Sequence, residues 1–215
     1  MSVNLVSHPL VQAKLSELRS VETSSHRFRA LVKELSTLLG IEASRDLPLK
    51  DVPNLKSPIT EYTGKAIAPK IGLSPILRAG IGMTEPILDL FPEASVFYLG
   101  LFREKVSLQP VEYYQKLPPT PTVETLYLLD PLIATGGTAV AAISILLDWG
   151  LQISQIKVLS ILGSKPGLTR VAEAYPGLDI YTCGIDEVLS EDGMIVPGLG
   201  DSGDRLFNTG VPLSS

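Results

Sequence analysis

The sequence is poor in the residues that build disulfides and protein-only metal centres. Cys183 is the single cysteine among 215 residues, so no intrachain disulfide can form and a reducing compartment is implied. A lone cysteine of this kind is expected to be a buried, small apolar side chain. The two histidines, His8 and His26, are not at metal-ligand spacing, and surface or capping roles are expected for both. Positive charge is also short. Lys and Arg number 18 against 23 Asp and Glu, a net charge of −5, with an isoelectric point near 5.1. A chain without a basic face is not expected to bind nucleic acid, although a few arginines or backbone amides can still hold a small anion. Long apolar runs are missing as well. The longest, Ala139 to Leu147, is interrupted by Ser144 and stops at Asp148, too short to cross a bilayer. Met1 to Gln12 has neither a basic start nor an apolar run, so no signal peptide is expected. No internal repeat and no low-complexity tract is visible.

What is present is enough apolar residue, 45%, to bury a sizeable core in one compact unit. Leu10 to Leu18 reads as a short helix. Phe28, Leu31, Val32, Leu35, Leu38 and Leu39 recur at helical steps, with Gly40 as the expected stop. Ala43 to Lys65 holds Pro48, Pro53 and Pro58 and reads as loop or short edge strands. Apolar runs then alternate with helical stretches. The predicted strands are Ile71–Leu77, Ser95–Phe102, Thr125–Leu129, Lys157–Leu162 and Leu178–Thr182; the predicted helices are Thr84–Leu90, Ala139–Trp149 and Pro166–Tyr175. Such runs, apolar throughout, are typical of parallel sheets covered on both sides. The fold expected is therefore α/β, a mainly parallel sheet with helices on both faces. A single domain covers 1–215: N-terminal helices and loop over 1–66, an α/β core over 67–190 with an extended arm at 104–122, and a small C-terminal hood and tail over 191–215.

The most informative stretch begins where the strand Thr125–Leu129 runs into Asp130-Pro131-Leu132-Ile133-Ala134-Thr135-Gly136-Gly137-Thr138 and then into an apolar helix. Open α/β sheets bind ligands at the carboxyl ends of their strands, where Asp130 falls. Its carboxylate is a suitable acceptor for a ribose diol. Gly136 and Gly137 let backbone amides close on a phosphate, Thr135 and Thr138 add hydroxyls, and the helix start adds free N–H groups and a positive dipole end. The bland alternative is a tight turn with Thr135 or Thr138 as a helix cap. Arg78 and Arg103 each follow an apolar run, at the ends of neighbouring strands, and an arginine fork grips phosphate oxygens. Further on, Gly198-x-Gly200-x-x-Gly203 formally matches a dinucleotide fingerprint, which would make the chain a nicotinamide-dependent oxidoreductase. It lacks the strand, helix and βαβ unit that motif needs. It reads instead as a glycine-rich loop able to meet a planar base with its backbone.

These segments resemble the phosphoribosyltransferases, and Asp130-Pro131 before the Ala134–Gly137 run resembles the branch of that family that acts on uracil. The resemblance extends over nearly the whole chain. It takes in His8 to Val11, Glu42 to Pro48, Pro75 to Met83, Pro110 to Pro118 and Ile195 to Arg205. It implies conversion of uracil and 5-phospho-α-D-ribose 1-diphosphate to UMP and diphosphate. It assigns Arg78, Arg103, residues Asp130, Pro131, Leu132, Ile133, Ala134, Thr135, Gly136, Gly137 and Thr138, and Asp201 to the ribosyl diphosphate. Uracil falls to Ile195, Gly200, Asp201 and Ser202. Arg78, Arg103, Asp130 and Asp201 are the residues implied in catalysis. Mg2+ is expected to arrive on the diphosphate rather than in a protein cage. The resemblance further implies a cytoplasmic homodimer or higher homo-oligomer, and it brings GTP as an expected activator. The sequence departs from the family pattern at Ser202, where alanine is common, and at Lys105, where an acid would follow Glu104. The competing reading is a nucleotide-binding regulator of the same fold with little catalysis.

Overall fold

Successive side chains of a strand point to opposite faces, and in this chain that alternation sorts the apolar residues into two cores. The computed structural model describes residues 2–103 and 110–210, without the side chains of Ser2, Phe102, Arg103 and Pro110. In chain order the elements are β1 (Ser2–Leu5), α1 (Pro9–Arg19), α2 (Ser25–Ala43), β2 (Leu49–Lys56), β3 (Glu61–Ile67), β4 (Ile71–Leu77), α3 (Ile81–Leu90), β5 (Ser95–Val96), β6 (Leu99–Arg103) and β7 (Pro110–Gln115). There follow β8 (Thr125–Leu129), β9 (Leu132–Ile133), α4 (Gly137–Trp149), β10 (Ile156–Ser164), α5 (Lys165–Ala174), β11 (Asp179–Asp186), β12 (Val188–Leu189), β13 (Ile195–Val196) and α6 (Ser202–Phe207). The main sheet runs β1-β11-β10-β8-β4-β6-β7, with β5 beside β4 and β9 beside β10. Its described pairings are parallel except that of β7, which runs antiparallel to β6.

On β8, Tyr127 and Leu129 face Phe28, Leu31, Leu35, Met83 and Ile87 of α2 and α3. Leu126 and Leu128 face Ala142, Ile143, Leu146 and Val171 of α4 and α5. All nine residues of β10 are buried, as expected of a strand covered on both faces. Each fully buried Leu, Ile or Phe side chain contributes about 1.5–3 kcal/mol, so the two cores hold the sheet between its helices. Cys183 is buried in the first of them and its thiol is pushed up to about 12 by burial, an inert apolar side chain. His8 caps α1, its ring nitrogen accepting from the Leu10 amide at 3.1 Å, and His26 is exposed.

Three expectations need correction and one, the second below, is narrowed. Helix α2 does not stop at Gly40 but runs to Ala43. A Cβ at residue 40 would lie 2.7 Å from the tips of Ile87 and Leu90, so the glycine serves close packing of α2 on α3. The added turn is closed by Lys157, a buried β10 residue whose ammonium donates to the Ala43 carbonyl at 2.8 Å and pairs with Asp46. Secondly, of the two alternatives for 43–65, loop or short edge strands, it is strands that form: an antiparallel hairpin over 49–67, β2 with β3, with Pro53 and Asn54 absorbed in a bulge between Val52 and Leu55. Thirdly, the run Ser95–Phe102 is two strands. The ladder lapses at Phe97 and Tyr98, opposite Pro75, which has no N–H to give. Finally, Glu191–Gly210 is more than loop: it holds β13, paired with β12, and α6. In the arm, residues 104–109, Lys105 among them, lie outside the described residues, and 110–115 pair with β6 as β7.

Candidate active site

Strand β8 ends at Asp130, and the chain crosses to α4 by way of β9 and a turn at Ala134–Gly136. Gly136 is the N-cap of α4, with φ of 77° and no side-chain capping bond. Neither Thr135 nor Thr138 therefore caps this helix. Its first-turn amides, those of Gly137, Thr138 and Ala139, keep the free donors and positive dipole end of any helix start. The turn lies flush against the start of α5: a Cβ at Gly136 would stand 2.6 Å from the Gly167 carbonyl. Ser164, the N-cap of α5, accepts from the Gly167 amide at 2.9 Å and donates to the Ala134 carbonyl. Pro131 is buried on the sheet side, and its carbonyl accepts from the amides of Ile161 and Leu162 at 3.0 Å.

A cleft of about 440 Å³ opens beside this turn. Arg78 from the end of β4, Asp130, Leu132, Ala134 and Thr138 line it together with Ile195, Gly200, Asp201 and Ser202. A recess of about 90 Å³ bounded by Asp130, Ile133, Thr135, Gly136 and Thr138 leads into the turn. The residues singled out in the sequence are thus gathered at one place, save three. Pro131 faces the sheet, Gly137 begins α4 outside the cleft lining, and Arg103 ends β6 with its side chain outside the described residues.

Charge in the cleft is arranged unevenly. Asp130 is half-buried, and burial pushes its carboxyl up to about 7, only partly opposed by the distant Leu132 amide. Arg78, half-exposed, donates to Asp204 of α6 at 3.0 Å and to Thr209 just beyond it at 3.3 Å, so the C-terminal segment fixes a cation carried by the end of β4. Hydrogen bonds from Thr209 and then Arg78 hold the Asp204 carboxyl below the usual carboxylate range. Asp201 caps α6 by accepting from the Asp204 amide at 2.9 Å while lining the cleft. Arg170 reaches over from α5, its guanidinium 3.4 Å from the Thr135 carbonyl. Among the described residues no three His, Cys, Asp or Glu side chains gather as a metal cage. The cleft's carboxylates, Asp130 and Asp201, are hard oxygen donors, the kind that suits a cation sharing ligand and water oxygens.

Several cleft residues were not picked out as site residues from sequence. Tyr113 of β7 lines the cleft and brings the arm to the site, and Gly193 and Met194 close its hood side. The signal for Tyr113 was the Tyr-rich arm itself; for Asp204, which holds Arg78 from outside the cleft lining, it was the density of acids after Gly200. The glycine fingerprint is refuted by its setting, since a two-residue strand of a separate antiparallel pair precedes it and a six-residue helix follows.

The sequence model for the family described as uracil phosphoribosyltransferase matches residues 5–209. The chain is 50% identical over 208 residues to the uracil phosphoribosyltransferase of Roseiflexus castenholzii, covering 97% of this chain and 99% of that protein. A solved structure of a protein from Aquifex aeolicus superposes with a TM-score of 0.89 at 34% identity, over 98% of this chain and all of that one. A hypoxanthine phosphoribosyltransferase from Staphylococcus aureus shares the fold alone, with a TM-score of 0.51 at 8% identity over 82% of each chain. No helix among the described residues is long and apolar enough to cross a membrane.

Proposed function

The chain belongs to the uracil phosphoribosyltransferase family, and we propose that its cleft joins uracil to 5-phospho-α-D-ribose 1-diphosphate, giving UMP and diphosphate. The carrying observation is that one cleft brings together a helix start free of any side-chain cap, a carboxylate at a strand end, an arginine and a glycine-rich hood. Amides of residues 135–138 hold the 5′-phosphate, and Asp130 accepts from the ribose hydroxyls. Arg78 and Arg103 hold the diphosphate, with Asp201 on the same side. Backbone groups of Ile195, Gly200 and Ser202 hold the base.

Uracil N1 forms a bond to the anomeric carbon, the bond from that carbon to the diphosphate oxygen breaks, and the diphosphate leaves with the electron pair. The N1 proton is released. Bond breaking runs ahead of bond making and leaves positive charge on the ribose ring. Catalysis then comes from holding both reactants in line and from stabilising the leaving charge, the latter by the two arginines. Asp130 and Asp201 would help hold Mg2+ arriving on the diphosphate, which would supply positive charge against the leaving group.

The same reading places the protein in the cytoplasm as a homo-oligomer and includes activation by GTP. The decisive measurement is steady-state formation of UMP from uracil and the ribosyl diphosphate, with and without Mg2+ and GTP. Nucleotide binding without turnover would instead favour the regulator reading.

A further inference from the structure

The hood turn between the two parts that line the cleft is held from behind. Ile195 lines the cleft, the chain turns through Pro197, Gly198 and Leu199, and Gly200, Asp201 and Ser202 line the cleft again. Gly198 has a φ of 62°, and a Cβ there would stand 2.1 Å from the Ile195 carbonyl, so the turn is folded tightly on its own start. Each carbonyl of the turn's two middle residues is taken by an arginine. Arg19, the last residue of α1, donates to the Gly198 carbonyl at 2.7 Å. Its other bonds go to both oxygens of Asp186, at 2.8 and 2.7 Å, and Asp186 in turn accepts from the Gly198 amide at 2.9 Å. Arg205 donates to the Leu199 carbonyl at 2.7 Å and to the Ser20 carbonyl at 2.6 Å, with its guanidinium 4.4 Å over the Phe28 ring.

We propose that Arg19 and Arg205 are positioning residues for base recognition, fixing through the Gly198 and Leu199 carbonyls where Ile195 and Gly200 present their backbone to uracil. This rests on the reading of the cleft given above. Neither arginine lines the cleft itself, so each acts through the backbone of the turn it holds, whose Ile195 and Gly200 face the base. The reason for arginine is geometric. One planar fork serves Asp186 and a carbonyl together, or two carbonyls together, whereas an ammonium is a point donor. If Arg19 were only a counter-charge for Asp186, lysine would replace it without loss.

Steady-state kinetics with both substrates varied provide the test. Wild-type protein is measured first; absence of UMP formation would sink the reading of the cleft before the arginines are judged. With turnover present, Arg19→Lys and Arg205→Lys should each raise the uracil KM about tenfold or more. The KM for the ribosyl diphosphate should stay within about twofold, and use of other pyrimidine bases relative to uracil should rise. Uracil KM unchanged in both variants, or both KM values rising by a common factor, would overturn the proposal. Arg205→Lys keeps the test open should Arg19→Lys fail to fold, because Arg205 has no ion pair with Asp186 to lose.

Discussion

The two ends of the cleft are built by different means. The end proposed to hold the phosphate is made of consecutive residues: Asp130 to Thr138 join one strand to one helix, and the turn's shape depends on a glycine inside it. The end proposed to hold the base hangs on a two-residue strand and a six-residue helix, and its turn is held by side chains that include Arg19, across 179 residues. Arg205 adds a bond to Ser20 across 185 residues. A seat made of sequence neighbours is specified locally, whereas a seat held by distant side chains depends on the rest of the fold. Changes far from the ligand should therefore disturb the base end and spare the phosphate end.

Asp201 is the severest test of that division, because it belongs to the base end in sequence but serves the ribosyl diphosphate in the proposed reaction. Asp201→Ala should lower kcat/KM by about 100-fold or more. The lost α6 cap costs about 1 kcal/mol, so thermal melting should fall by only about 2–4 °C. Near-normal turnover would strip Asp201 of its role. Asp130→Asn comes next. It should raise the KM for the ribosyl diphosphate by about 10- to 100-fold, the worth of hydrogen bonds to a charged group. Uracil KM should barely move; an equal rise in both would erase the division between the two ends.

Acidity sharpens the same contrast. The Asp130 carboxyl, pushed up to about 7, is protonated in the free protein below that pH and unable to act as a charged acceptor. Apparent affinity for the ribosyl diphosphate should rise with pH toward about 7 and level off above it, and Asp130→Asn should lack that component; binding titrations in both proteins over this range check it. The linked stability runs the other way. Unfolded, the carboxyl returns to 3.8, so the folded chain holds a proton the unfolded one has lost between 3.8 and about 7. Its contribution to stability is full below 3.8 and lost as pH rises through about 7. The smallest effect belongs to Arg170, exposed beside the phosphate turn. Exposed charge pairs are worth about 0–1 kcal/mol, so Arg170→Ala should raise the KM for the ribosyl diphosphate by about fivefold at most. High salt should shrink the difference.

What was legible in the sequence follows this division. β4 and β8 occupy Ile71–Leu77 and Thr125–Leu129, the predicted runs, because a strand buried on both faces declares itself by near-continuous apolar residues. The turn from Asp130 to Thr138 was readable for the same local reason. β1 was not: Ser2–Leu5 is too short to show a period and becomes a strand only by lying beside β11. The hairpin β2–β3 was legible only as loop or short edge strands, since its prolines speak against a regular ladder until a bulge absorbs one of them. The pinning of the hood was invisible too. In sequence Arg19 is merely a cation at a helix end and Arg205 one charge in a polar tail; their carbonyl partners are named only by the folded chain.

Lys157 carries one more consequence. Helix α2 has no basic residue of its own in its last turn, and the Ala43 carbonyl is received instead by this ammonium from the middle of the sheet. A helix end satisfied by its own side chains frays independently; this one must break a bond to β10 to open. Amide deuterium uptake over residues 40–44 should accordingly keep pace with the slowest-exchanging amides of the sheet, marking the end of α2 and the sheet as a single cooperative unit.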